Sequence, residues 1–168
     1  RQENRWAFEK ARYDAEQFWY QGNGSVDVMA DVDFDPEKEP DRSVILYGNA
    51  RTNSAWQPLL DACPVTVQPG KIVIGDKVIR GKDLACLLIR PRPGSDIASV
   101  GVVAGTGLVG MRMTDRRPYL SPGYAYPDLI VFTPEMLEGP QEDGVIAAGF
   151  FGLDWRIESG ELVWNLTE

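Results

Sequence analysis

Residues 98–111 read Ala-Ser-Val-Gly-Val-Val-Ala-Gly-Thr-Gly-Leu-Val-Gly-Met. An apolar run ends in a glycine-rich turn, and a short helix-like segment follows. Residues 43–56 have the same shape: Val44-Ile45-Leu46-Tyr47 leads into Gly48-Asn49-Ala50-Arg51-Thr52-Asn53 and then into a second short helix-like segment. Short continuous apolar runs suit strands buried on both faces. Two strand–turn–helix units of this kind predict an α/β domain whose loops gather at one end of a parallel sheet. The expected architecture is three-layered α/β. It has a mainly parallel sheet, helices on both faces (flavodoxin- or Rossmann-like) and small β-hairpin additions, in a single domain over residues 1–168.

The glycines invite a cofactor reading, which the surrounding residues refuse. Gly105-Thr106-Gly107-Leu108-Val109-Gly110 fits the G-x-G-x-x-G pattern of dinucleotide sites, and a strand precedes it. Pro118 and Pro122 cut the following helix short, however, and no acidic residue closes the next strand, the nearest beyond it being Glu135. Close packing or a tight turn is the expected reason for the glycines. Gly70 and Gly75 have the spacing of a phosphate loop, but Asp76 stands where its lysine belongs. Asp31-x-Asp33-x-Asp35 has the look of a calcium loop, yet Pro36 replaces the glycine and Arg42 the bidentate glutamate. No cofactor and no metal are expected.

Composition narrows the function classes. With 168 residues, 43% apolar and 25% charged, the chain suits one globular domain, with or without an appendage. No apolar run nears the roughly 18 to 20 residues that span a bilayer, so no membrane span is expected. The chain starts on Arg1 without a methionine or signal segment and is read as a piece of a larger protein. It contains no histidine. A Ser-His-Asp or Cys-His unit cannot be assembled from this chain alone, and histidine-dependent zinc sites fall with it. The net charge of −8 argues against nonspecific nucleic-acid binding. That charge is segregated: residues 71–117 hold nine basic and four acidic side chains, and residues 118–168 hold one and nine. The basic middle either serves an anionic ligand or pairs with the acidic flanks. Cys63 and Cys86 form no CxxC; two buried thiols are the default and a single disulfide the alternative.

Taken in order, residues 6–21 read as a helix, with Ala7, Ala11, Ala15, Phe18 and Trp19 as its apolar stripe and Trp6, Tyr13 and Tyr20 as a flanking aromatic line. Residues 26–34 alternate as a strand does, Val26, Val28, Ala30, Val32 and Phe34 against the aspartates. Residues 72–74 and 77–79 predict a hairpin at Gly75-Asp76. Residues 84–89, 129–132 and 145–150 are further buried strands, the last closing the sheet, and residues 155–168 form a terminal hairpin. The loop at 118–127, rich in tyrosine and proline, is expected to rim a site or pack on a neighbour. If the strands run parallel, the loops after them bring Asn49, Arg51, Asn53, Arg90, Arg92 and Thr106 together around a small polar or anionic molecule.

Four segments are distinctive as a set: Phe18-Trp19-Tyr20-Gln21-Gly22-Asn23-Gly24, Asn49-Ala50-Arg51-Thr52-Asn53-Ser54-Ala55-Trp56, Arg90-Pro91-Arg92-Pro93-Gly94-Ser95 and Gly105-Thr106-Gly107. Together they resemble the C-terminal region of large bacterial prolyl-oligopeptidase-like α/β hydrolases or esterases, over most of residues 6–155. The resemblance implies a tail domain after the hydrolase part, with that hydrolase domain of the same polypeptide as its partner, in a secreted or periplasmic setting. It transfers no catalytic residue, because the chain has no G-x-S-x-G elbow and no histidine. The expected role is a non-catalytic accessory domain, and the alternative is a module binding a small polar or anionic ligand.

Overall fold

The computed structural model describes residues 2–119, 123–138 and 144–165. Helix α1 spans Gln2–Gly22, followed by strand β1 (Val44–Tyr47), helix α2 (Trp56–Leu60), strands β2 (Val65–Gln68), β3 (Lys71–Ile74), β4 (Lys77–Arg80), β5 (Ala85–Pro91) and β6 (Ser99–Gly105), helix α3 (Leu108–Met113), and strands β7 (Leu129–Phe132), β8 (Val145–Phe150) and β9 (Glu161–Trp164). Six strands form one sheet in the order β1-β6-β5-β7-β8-β9, and β2-β3-β4 form a second, antiparallel sheet.

The mainly parallel, helix-flanked sheet is not what forms. Only β1 and β6 run parallel; every other neighbouring pair in the large sheet is antiparallel. Chain length explains the first departure. Residues 92–98 are the whole link from β5 to β6, and a parallel crossover needs a dozen residues or more. The link therefore reverses the chain, and Ala85–Pro91 pairs antiparallel with Gly105–Ser99. The apolar runs mark burial on two faces, not strand direction. One face of the large sheet carries α1 and α3. The other carries the three-stranded sheet and α2 in place of a second helical layer.

Two cores follow from this. Leu46, Leu88, Val100, Val102 and Leu129 meet Trp56, Leu59, Val65, Val67, Ile72 and Ile74 between the sheets. Leu87, Val103, Ile130 and Phe132 meet Trp6 of α1 and Met111 and Met113 of α3 on the other side. The β3–β4 hairpin turns at Gly75 (φ 58°) and Asp76, as the sequence suggests. Residues 26–34 do not form a strand. Local bonds from Asp33 N to Ala30 O and Phe34 N to Asp31 O close a 3-10 turn, and the Asp31 carboxylate accepts Ser54 N–H at 2.5 Å. Local turn bonds, together with the Asp31 carboxylate bonded to Ser54, 23 residues away, stand in place of the ladder that the alternation suggests. Near the C-terminus β9 pairs with β8, so β8 does not close the sheet, and residues 155–157 are irregular. Of the loop at 118–127, residues 120–122 lie outside the described residues.

The glycine turn after β6 is a packing device. Gly107 abuts the Lys82 carbonyl, which a Cβ there would meet at 2.6 Å, and a Cβ on Gly110 would overlap the Leu84 carbonyl. Thr106 N–H bonds that same Leu84 carbonyl at 2.9 Å, while Thr106 Oγ1 accepts Leu84 N–H at 3.1 Å. The turn and the entry to β5 are thereby locked together. Gly110→Ala is expected to lower stability by about 2 to 3 kcal/mol through overpacking. Gly22→Ala, where a Cβ meets nothing within 4 Å, is expected to leave it unchanged or slightly raised. Urea unfolding of the two variants checks the contrast.

Candidate functional site

The six residues expected to share a ligand occupy opposite ends of the sheet. Asn49, Arg51 and Asn53 follow β1, and Thr106 follows β6, so the parallel pair brings these four to one end. Arg90 lies near the exit of β5, opposite Val100, and Arg92 follows the strand, its N–H bonded to Ala98 O at 2.9 Å. Seven residues of strand separate the two groups, about 20 Å at 3.3 Å per residue.

At the first end the polar groups are spent on the fold. Fully buried Asn49 donates from Nδ2 to Gly105 O at 3.1 Å and accepts Arg51 N–H at 3.1 Å. Asn53 donates to Tyr47 O at 3.2 Å and accepts Ala55 N–H at 3.0 Å. Thr106 is tied to Leu84. Arg51 alone points outward as an exposed side chain. At the other end, Arg90 donates to Trp155 O at 2.9 Å, with its guanidinium 5.1 Å from the Phe151 ring centre. Arg92 is only 2% exposed. Its Nη1 reaches Glu39 O at 2.9 Å and Arg42 O at 2.6 Å, and its Nη2 reaches Pro36 O at 2.9 Å and Lys38 O at 3.3 Å. One side chain thus organises the whole connector before β1.

A concavity lies elsewhere, between α1, residues 25–35 and β1. It is a groove of about 730 Å³. The helix wall is made by Ala7, Ala11, Ala15 and Phe18, four members of the apolar stripe read from the sequence. The stripe that is buried is Trp6, Lys10 and Asp14. Helix α1 is therefore held by one tryptophan and an ion pair, and its apolar stripe looks into the groove. Its solvent face carries the exposed i,i+4 pair Arg5–Glu9 at 2.7 Å.

That ion pair is the densest polar cluster of the fold. Lys10 Nζ sits 2.8 Å from Asp14 Oδ1 and 3.1 Å from Asp115 Oδ1, with the Lys10 and Asp14 side chains 9% and 7% exposed. Tyr47 and Tyr119 donate their hydroxyls to Asp14 Oδ2 at 2.9 and 2.5 Å. The ammonium also lies 5.1 Å from the Tyr119 ring centre. Burial first, and the Asp14 charge second, push both phenols well above the usual tyrosine range. Asp14 and Tyr47 line the groove, yet each spends its polar atoms inside the cluster. Sequence reasoning missed these residues because a Lys and an Asp four apart read as a solvated pair. The available signal was their i,i+4,i+8 register with Trp6.

Cys63 and Cys86 are both free, the first half-buried and the second fully buried. Burial raises both thiols, outweighing at Cys63 the opposing pull of Val65 N–H and Arg90. Neither is a nucleophilic thiolate at neutral pH. Among the described residues no group of His, Cys, Asp or Glu is placed to hold a metal ion, and no helix is long and apolar enough to cross a membrane. Comparison with known protein families, with curated proteins and with solved structures finds no match to this chain.

Asp14→Ala leaves the buried Lys10 ammonium with Asp115 as its remaining carboxylate and two buried hydroxyls without their acceptor, and is expected to cost about 3 kcal/mol in urea unfolding. The double variant Lys10→Met with Asp14→Leu, which removes both charges but still leaves the Tyr47 and Tyr119 hydroxyls without an acceptor, is expected to recover only part of that loss. The two phenols favour the folded state below the ordinary tyrosine pKa near 10, and that contribution is lost as pH rises above it. Replacing Tyr47 and Tyr119 by Phe is therefore expected to leave the folded protein's ultraviolet titration near pH 10 unchanged.

Proposed function

We propose that this chain is a non-catalytic accessory domain of a bacterial serine-hydrolase-like protein, and that it packs on the hydrolase part through the uncovered portion of its six-stranded sheet. The observation that carries this reading is that α1 and α3 cover only one end of their sheet face. The register Ile45–Gly101–Ile89 places Ile45 and Ile89 on that face, beyond the helices. Val163, opposite Ala148, and Phe150, two residues on from Ala148, lie on the same face. Their exposures are 38% for Ile45, 43% for Ile89, 55% for Phe150 and 69% for Val163. Asp128 lies between Ile89 and Phe150 on this face; exposed apolar residues gathered on one sheet face in this way mark protein contact. The hydrolase as the surface's partner comes from the family resemblance of residues 6–155, and the lack of histidine places any Ser-His-Asp triad outside this chain.

The alternative, a binding module built on Asn49, Arg51, Asn53, Arg90, Arg92 and Thr106, has less support. A single small molecule does not reach both ends of the sheet, and five of the six side chains already have protein partners.

Expressed alone, the chain is expected to turn over neither p-nitrophenyl esters nor peptide anilides. Phe150→Glu with Val163→Glu is expected to leave the isolated domain's melting temperature unchanged. In the polypeptide that carries the hydrolase part, the same pair is expected to speed proteolytic release of this domain severalfold. Equal protease resistance with and without the two glutamates counts against the docking face. Turnover by the isolated chain that a substitution within it abolishes counts against the non-catalytic role.

A further inference from the structure

Two apolar faces that the sequence marks for burial look into the same open space. The alanine stripe of α1 forms one wall of the groove, and Val26, Val28, Ala30 and Phe34 contribute to the other. Neither wall is closed over: Phe18, Val26 and Val28 remain 40%, 44% and 38% exposed, as does Ile45 at the base, at 38%. An apolar stripe on a helix normally faces a partner, and here the partner position is vacant space of about 730 Å³, within the roughly 300 to 1,000 Å³ of small-molecule sites.

Charge selects the occupant. The groove is lined by six carboxylates, those of Asp14, Asp27, Asp31, Asp33, Asp35 and Glu39, against Lys38, Arg42 and Arg92. The two arginines are already engaged. Arg42 Nη1 holds Asp27 at 2.7 Å and Glu39 at 3.3 Å, and the terminal nitrogens of Arg92 point at four main-chain carbonyls. Asp14 is matched by Lys10. Hydrogen bonds from Ser54 hold the Asp31 carboxyl below its usual range against the opposing effect of burial, so it remains an anion. Asp33 and Asp35, both exposed, line the groove beside Lys38, and Asp35 Oδ1 accepts Glu37 N–H at 3.0 Å, leaving Oδ2 outside that bond. The field over the apolar walls is therefore negative.

We propose that this groove is a binding site for an amphipathic organic cation. An apolar or aromatic body sits between α1 and residues 26–34, and an ammonium or guanidinium group is held by Asp33 and Asp35 at the rim. A ligand with an anionic head meets the same walls but the wrong rim. This site shares Ile45 with the uncovered sheet face but not Ile89, Phe150 or Val163, and it stands whether or not that face meets a hydrolase.

A matched series tests the proposal: 4-phenylbutylamine, 4-phenylbutanol and 4-phenylbutyrate, titrated into nitrogen-15-labelled protein at low salt. The amine is expected to give saturable shifts confined to α1, β1 and residues 25–35. It is expected to bind about ten-fold or more tightly than the acid, the gap narrowing as added salt screens the rim. Val28→Lys, on an exposed wall outside any helix or strand, is expected to reverse the preference between amine and acid. Ala11→Trp is expected to exclude all three compounds, and if that variant loosens α1, Val28→Lys decides alone. No saturable shift with the amine, equal affinity for amine and acid, or amine binding untouched by Val28→Lys each overturns the proposal.

Discussion

The antiparallel ladder between β5 and β6 governs the rest of the structure. Seven consecutive residue pairs, from Ala85–Gly105 to Pro91–Ser99, place the two longest strands side by side near the centre of the large sheet. Their register decides which residues face which core. Cys86, Leu88, Val100 and Val102 go to the sheet–sheet core, and Ala85, Leu87 and Val103 go to the helical side. A slip of one residue would exchange these sets. The ladder also fixes the ends: the glycine turn after β6 meets the entry to β5 at one edge, and the β5 exit at Arg90 and Arg92 lies at the other. Every separation described for the candidate ligand residues follows from that single reversal of direction.

Much of the element content is legible in the sequence, and direction is not. The apolar runs at 44–47, 85–89, 99–103, 129–132 and 145–150 all become strands, because continuous apolar residues fill positions buried on both faces whatever covers those faces. The covering layer here is a three-stranded sheet where helices are expected, and the strands themselves carry no mark of that difference. The seven-residue link at 92–98 was the informative feature, since its length alone forbids a crossover. The glycines at 105, 107 and 110 are legible as a packing turn, and the carbonyls of Lys82 and Leu84 are what they pack against.

The candidate site was legible in its parts and not in their assembly. Ala7, Ala11 and Ala15 do share one helix face, as periodicity suggests, whereas residues 26–34 are no strand and line the groove with both of their alternating sets, Val26 and Val28 beside Asp27 and Met29. Periodicity gives the faces but not the partner. The two faces are walls of one groove. Lys10 and Asp14 went the other way, because charge is usually read as solvated. Only the meeting of Tyr47 from β1 and Tyr119 from beyond α3 on one carboxylate makes their burial affordable, and those contacts span 33 and 105 residues of sequence.

This inversion gives α1 a defined seat. A helix attached by alanines could slide by one turn with little loss, since one small apolar side chain replaces another. A helix attached by Asp14 has no such freedom. Its two carboxylate oxygens receive the Lys10 ammonium on one side and two phenols on the other, each directional, and any shift leaves buried groups unpaired. The ion pair thus fixes position more than it adds stability. With α1 anchored along its polar stripe, its apolar stripe stands opposite residues 26–34, which are tied in turn by Asp27 to Arg42 and by Asp31 to Ser54. Bonds within the protein therefore hold both walls of the groove. A cavity whose walls are fixed without its occupant is preorganised, and its ligand bears little of the cost of ordering it.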